Sequence, residues 1–334
     1  LPEKLTMLEI GGIQHASRVI VAPMAGVTDR PFRDLCREFG AFWLVGEMLT
    51  SDQKLWKSRK SQTRQVSLDE TGPRWVQIAG SDPEVMAAAA KANEAAGADI
   101  LDINMGCPAK KVCNKAAGSA LLRDEALVGA ILKAICAAVA IPVTLKIRLG
   151  WSREEQNAET IAQIAESAGI QALTVHGRTR ACRFQGDVDY AAIARVKAKV
   201  SIPVIANGDI TNAQQASLVL QNTGVDAVML GRAVQGRPWL PADIDRFLAT
   251  GLPPVERPFE TKCQALARHV GALHHHYGPE KGLRIARKHV GWFLQANTRD
   301  SEPFRQAFNR IQCDAEQLAF LGHFRDLDAI GAAA

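Results

Sequence analysis

Apolar positions along this chain fall into two alternating textures. Short runs rich in Val, Ile, Leu and Ala occupy 18–22, 42–46, 75–79, 99–104, 142–148, 172–176, 203–207 and 227–231. Between them lie longer stretches with helical periodicity, at 83–96, 125–138, 158–168, 190–199 and 213–221. The first texture reads as buried strands and the second as amphipathic helices. Eight strand-then-helix units within about 230 residues match the size of a (β/α)8 TIM barrel. A doubly wound sheet usually has fewer strands, and the chain carries no Gly-x-Gly-x-x-Gly fingerprint. Past residue 250 the texture changes. Gly251-Leu252-Pro253-Pro254 and Pro258 read as a linker, followed by helical periodicity alone over 259–277, 280–297, 302–311 and 314–328. The expected organisation is α/β: a TIM barrel over 1–250, then a small all-α helical bundle over 251–334.

Several runs stop on a polar or special residue: Met24, Glu47, Gln77, Asn104, Lys146, His176, Asn207 and Arg232. In this fold, active sites form where strands end, so a series of such residues in register predicts a catalytic mouth.

Composition narrows the setting. No apolar stretch approaches the roughly 18 residues of a membrane span, and the first residues carry no secretory pattern, so the expected location is cytoplasmic. The sequence opens on Leu1 rather than a methionine, which leaves room for native residues ahead of it. Seven cysteines without a Cys-x-x-Cys pair argue against a disulfide framework or a zinc ribbon. No metal site is expected either, because His176 has no histidine partner nearby and no carboxylate cluster ends the strands. The net charge of +5 suits a nucleic-acid partner without requiring one.

Four segments carry candidate chemistry. Asp102-Ile103-Asn104-Met105-Gly106-Cys107-Pro108 leaves a buried strand through a Gly-Cys-Pro turn. There Pro108 keeps Cys107 out of helical geometry and Gly106 allows close backbone approach. A thiol facing the mouth is mostly protonated at neutral pH and can act as a general acid; the alternative is a buried structural thiol. Asn207-Gly208-Asp209-Ile210 and Gly231-Arg232-Ala233 follow the seventh and eighth strands, where TIM barrels often bind phosphate. Lys146 sits in an apolar run and would neutralise an anion, unless it snorkels outward. His176-Gly177-Arg178-Thr179-Arg180 adds a donor and two guanidinium groups. In the helical part, Lys281, Arg284, Arg287 and Lys288 share one helix face, either an RNA-facing stripe or a solvated surface. The His274-His275-His276 run reads as surface.

With these residues in view, the chain resembles the tRNA-dihydrouridine synthases. Ala22-Pro23-Met24-Ala25-Gly26-Val27-Thr28-Asp29-Arg30-Pro31-Phe32-Arg33 looks like their opening motif. Asn104-Met105-Gly106-Cys107-Pro108, followed by Lys110-Lys111-Val112, is similar to their catalytic loop. The segments at His176, Asn207 and Gly231 continue the match in order, from about Val19 to the last helices. Gly231 to Trp239 and Arg284-Ile285-Ala286-Arg287-Lys288-His289 resemble the bacterial B-type branch. The resemblance implies FMN in the barrel, NADPH (or NADH) as electron donor, and tRNA gripped by the helical part of a monomer. It implies that Pro23, Met24, Ala25, Gln77 and Lys146 contact the flavin, with His176 between flavin and substrate. Asn207, Gly208, Asp209, Gly231 and Arg232 would hold its phosphate. Asn104, Arg178 and Arg180 would meet the substrate uridine near the mouth, and Lys281, Arg284, Arg287 and Lys288 the tRNA backbone. Hydride would pass from flavin N5 to uracil C6 and a proton from Cys107 to C5. The branch implies uridine 17 of the D-loop as target. Cys113 stands where the family pattern suggests a polar residue.

Other readings are distinguishable. A flavoenzyme acting on a free pyrimidine, of the dihydroorotate dehydrogenase kind, would not require the basic helical part. A sugar-phosphate isomerase or aldolase would purify colourless. An RNA-binding protein without catalysis would have no use for Cys107, Lys146 and His176 together.

Overall fold

The computed structural model describes residues 7–113, 117–299, 302–322 and 324. Its centre is a closed ring of parallel strands: β1 (Val19–Val21), β2 (Trp43–Leu44 and Leu49–Thr50), β3 (Trp75–Ala79), β4 (Ile100–Met105), β5 (Val143–Arg148), β6 (Ala172–His176), β7 (Val204–Asn207) and β8 (Ala227–Leu230). Each strand pairs with the next, and β8 returns to β1 through Met229 opposite Ile20. The first half of β2 pairs with β1 and the second half with β3, and a Val45–Trp75 bridge joins the ends. The single strand expected at 42–46 is thus broken. At the break Glu47 turns inward, accepting the Gly26 N–H and an Arg64 ion pair, each at 2.7 Å, which draws the chain out of the ladder.

Alternation along the strands decides what fills the barrel, because successive side chains point to opposite faces. One set, including Ile103, Leu145, Ile147 and Val175, packs outward in the large core beneath the helices. The other set points inward and grades along the axis. Ile100, Ala172 and Ala227 come first, in an apolar layer with Ile20 and Trp43. Asp102, Thr144 and Thr174 follow, then Asn104, Lys146 and His176 at the strand ends. A hairpin that the sequence pattern does not announce, Leu8–Ile10 with Ile13–His15, inserts Leu8 and Ile10 into the apolar layer and seals that end. Its strands are too short to show a period, and its turn rests on Gly11 and Gly12 at φ +57° and +86°.

Helices α1 (Arg30–Glu38), α2 (Pro83–Ala95), α3 (Glu125–Ala138), α4 (Ala158–Ala168), α5 (Tyr190–Lys199), α6 (Ala213–Thr223) and α7 (Leu240–Thr250) surround the ring. Asp82, Asp124, Asp189 and Asn212 cap four of them by accepting a first-turn N–H.

A helical bundle follows: α8 (Phe259–Tyr277), α9 (Pro279–Asn297), α10 (Glu302–Arg310) and α11 (Asp314–Gly322). Leu266, Val270, Leu273 and Tyr277 form the buried stripe of α8, at helical spacing, against Ala286, Val290, Phe293 and Leu294 of α9. Leu35 and Trp239 from the barrel side complete this second core. His274 differs from its surface assignment: it is buried, 2.9 Å from Gln317 Oε1, because it lies on the α8 face covered by α11. His275 beside it is exposed.

Barrel and bundle meet through polar contacts near the mouth. Asp29 caps α1 with one carboxylate oxygen and accepts the Tyr277 hydroxyl, at 2.9 Å, with the other. Gly236, at φ +71°, passes so close to α9 that a Cβ there would lie 2.4 Å from the Trp292 carbonyl oxygen. Gly236→Ala is therefore expected to cost about 3 kcal/mol, combining backbone strain with a steric clash. Urea denaturation checks this, and an unchanged midpoint would mean that the contact yields without cost.

Candidate active site

The strand ends open onto a cavity of about 650 Å3, within the usual range for small-molecule and cofactor sites. Thirteen residues singled out from the sequence line it: Pro23, Met24, Ala25, Gln77, Asn104, Cys107, Lys146, His176, Asn207, Gly208, Asp209, Gly231 and Arg232. They come from seven strand ends far apart in sequence, and only ring closure brings them together.

A hydrogen-bonded relay sets the geometry on the β3–β5 side. Asp102 lies inside the barrel, where its carboxylate accepts from Thr144 Oγ1 and from Gln77 Nε2, both at 2.6 Å. Gln77 Oε1 then accepts from Asn104 Nδ2 at 2.8 Å. Asn104 Oδ1 accepts the backbone N–H groups of Gly106 and Cys107 at 3.2 and 3.0 Å, fixing the turn that presents the thiol. From the other side, Ser119 Oγ donates to the Cys107 carbonyl at 2.9 Å and the Cys113 thiol approaches it at 3.6 Å. Burial raises the Asp102 carboxyl to about 6, against the opposing pull of Thr144, Gln77 and Lys146.

The adjoining arc, from the end of β5 to the loop after β8, is cationic. Lys146 Nζ donates to Asn207 Oδ1 at 3.0 Å, and burial, reinforced by Arg148, lowers its ammonium to about 8. Arg148 is buried and, among the described residues, donates only to carbonyl oxygens, those of Gly106, Thr179 and Arg183, at 2.7–3.1 Å. Burial lowers its guanidinium to about 10. The His176 imidazole is pushed down to about 2 by burial and by Lys146, Arg148, Arg178 and Arg232, so it is neutral at physiological pH. Its buried Nδ1 has no hydrogen-bond partner among the described residues. Asp209, at φ +47°, is shared by Arg178 and by Arg232, the latter at 2.9 Å. A site with this surplus of cations suits an anionic ligand.

Not every expected residue reaches the cavity wall. Arg178 is buried behind it, with its guanidinium on the Gly186 carbonyl and Asp209. Arg180 stacks on Trp151, 4.3 Å from the ring centroid. In the α9 stripe, Arg284 and Lys288 are exposed, Lys281 lies over the Tyr277 ring, and Arg287 is partly buried, donating to the Ile311 carbonyl. Lys288 Nζ approaches the Gly26 carbonyl at 3.2 Å, so the stripe begins at the mouth. Conversely, Arg148, Met48 and Phe184 line the cavity without having been singled out. Period-two alternation from Lys146 already points Arg148 inward, which is the signal that could have found it. Phe184 stands in a loop, where no period applies.

A closed α/β barrel whose polar strand ends converge on one cavity, with a helical bundle beside the mouth, is a TIM-barrel enzyme with a single composite site. A family model described as dihydrouridine synthase (Dus) matches residues 20–328, and the chain belongs to that family. It is 55% identical over 320 residues to tRNA-dihydrouridine synthase B of Pseudomonas aeruginosa, covering 96% of each chain. To tRNA-dihydrouridine synthase B of Escherichia coli K12 it is 56% identical over 316 residues, 94% of this chain and 98% of the other.

The relay can be tested at its root. An asparagine at 102 would set an amide N–H against a donor where the carboxylate serves two. Asp102→Asn is therefore expected to lower stability by about 1–3 kcal/mol. It should also speed hydrogen exchange at the Gly106 and Cys107 amides relative to the rest of the barrel. Uniform exchange changes, or none, would disconnect Asp102 from the Cys107 turn.

Proposed function

We propose that this chain reduces a D-loop uridine of tRNA to dihydrouridine, using FMN held in the barrel and NADPH as electron donor. The observation that carries the reading is one cavity holding a thiol, a half-buried lysine and a buried arginine without a carboxylate partner among the described residues. The residues present fit FMN. Pro23, Met24 and Ala25 offer an apolar wall, and Gln77 and Lys146 offer donors to a ring edge. Gly208 and Gly231, with Arg232 beside them, offer a place for a phosphate. The orphaned His176 Nδ1 and the surplus of cations are what an anionic ligand would complete.

When bound, FMN would supply the two electrons of the reduction, as hydride at uracil C6. The rest falls to the protein. Cys107 delivers a proton to C5 from its Sγ, and the thiolate left behind faces Arg148, a fixed buried cation that needs no reorganisation. Asn104 uses Oδ1 and one Nδ2 hydrogen to hold the turn, which leaves its second Nδ2 hydrogen for a uracil carbonyl. His176, being neutral, can sit against flavin and base without adding charge. Lys146 compensates negative charge at the ring edge. Arg178 and Arg180 act from behind the wall, Arg178 by holding Asp209 and hence Arg232. The reading assigns 1–250 to the FMN-binding barrel and 251–334 to a helical part that grips tRNA phosphates through Lys281, Arg284, Arg287 and Lys288. It takes the protein as a cytoplasmic monomer and takes uridine 17 as target, as the resemblance to the B-type branch implies. The target base must leave its stack to reach Cys107, at a cost of a few kcal/mol offset by contacts to the rest of the tRNA.

The test is direct. Purified protein with FMN and NADPH is incubated with tRNA from cells lacking its gene, and nucleosides are mapped by mass spectrometry. The expected outcome is a gain of two hydrogens at one D-loop uridine, lost at least about a hundredfold in Cys107→Ala, which retains FMN. Unchanged tRNA despite NADPH-dependent flavin reduction would favour a free-pyrimidine substrate instead.

FMN affinity should also depend on pH. Lys146 is charged below about 8 in the free protein, and a bound anion raises that value. Affinity is therefore full at pH 7 and falls as pH rises through 8. Fluorescence titration of FMN between pH 7 and 9.5 should show this fall, with Lys146→Met binding more weakly and without the slope. A slope that persists in the methionine variant would assign it to another group.

A further inference from the structure

Phe184 is a large aromatic side chain left 51% exposed at the rim of the cavity. A single exposed apolar residue normally means little. This one, however, is held in place. The Arg148 guanidinium lies 5.2 Å from its ring centroid, that of Arg232 5.3 Å, and His176 meets it edge-on at 6.3 Å. The backbone before it is constrained too. Arg183 adopts φ +53°, a left-handed conformation unusual for a residue with a side chain. Its carbonyl is taken by Arg148 Nη1 at 2.7 Å and its N–H by the Arg180 carbonyl at 3.1 Å. Arg148 thus braces two loops at once, gripping Gly106 beside the thiol and Arg183 beside the ring. The braced turn holds the half-exposed ring at the entrance.

An aromatic ring among guanidinium groups is the composition that binds unstacked nucleobases, with the base on the ring and phosphates on the cations. Arg183 is exposed beside Phe184, and Arg232 is exposed across from it. Cys107 lies further in, partly buried, so the base that reaches it passes the rim and its neighbour in the strand stays there. We propose that Phe184 is the stacking platform for the nucleobase adjoining the target uridine, holding the opened strand at the mouth. This rests on the tRNA substrate proposed above, and it assigns the rim a partner of its own: a single-stranded RNA base next to the one reduced.

Substitution separates stacking from bulk. Phe184→Leu keeps an apolar side chain but no π face, whereas Phe184→Trp keeps the face. Two readouts are taken: the dissociation constant for tRNA from gene-deleted cells, measured without NADPH, and kcat/KM for dihydrouridine formation. Phe184→Leu should weaken both by about tenfold, the usual scale of one base–aromatic stack, while Phe184→Trp stays within about twofold of the parent. Leucine equal to the parent, or leucine and tryptophan impaired alike, would overturn the assignment. If the parent bound tRNA without reducing it, the proposed chemistry would fail while the binding measurements still decided the role of Phe184.

Discussion

A carboxyl group inside a barrel must be fully hydrogen-bonded or remain a costly buried charge, and the working side of this molecule is organised around one that is. Asp102 takes a hydroxyl from Thr144 and an amide from Gln77. Each partner is thereby fixed and hands the constraint on, through Asn104, to the turn that carries Cys107. Asp102, Gln77 and Asn104 are all buried, so the position of the thiol follows from satisfying a polar group one layer below it.

Beside the relay, along β5, the logic is electrostatic. Lys146 and Arg148 are enclosed with amide and carbonyl oxygens as their partners. Burial of that kind is unfavourable in isolation. It is sustained by the surrounding strands and leaves the cavity prepared for negative charge before any arrives. The same field keeps His176 neutral and aligns Asp209 between two arginines. The nearby thiol shares this environment, which is the kind of fixed surrounding that favours charge developing during a reaction over charge present at its start.

The bundle is tied to the same end of the barrel. Tyr277 reaches Asp29 at the start of α1, Lys288 reaches the first loop at Gly26, and Gly236 lets α9 lie directly on the turn after β8. The loops that line the cavity are therefore also those against which the bundle rests. A long substrate touching Arg284 and Lys288 would have the mouth within reach.

Much of this is legible in the sequence, because strand and helix periods are local. Eight apolar runs, the helices between them and the change of texture after Thr250 predict a barrel and a bundle, and the polar residues closing the runs predict most of the cavity wall. Dihedral preference and alternation act over a few residues, so a reader of the chain meets them directly. What the tertiary structure alone decides is which neighbours those residues find. Arg178 bears a promising motif, yet it turns behind the wall because Asp209 and the Gly186 carbonyl meet it there. Arg148 shares the inward alternation of Lys146, but its role depends on carbonyls 31 to 42 residues away. The split of β2 follows from Glu47 finding Gly26 and Arg64, and the burial of His274 from α11 lying over it. Phe184 owes its place to a braced loop without periodicity. The sequence by itself determined the elements and the chemical groups they carry. Closure of the barrel decided which of those groups face one another, because long-range contacts form between positions that no local period relates.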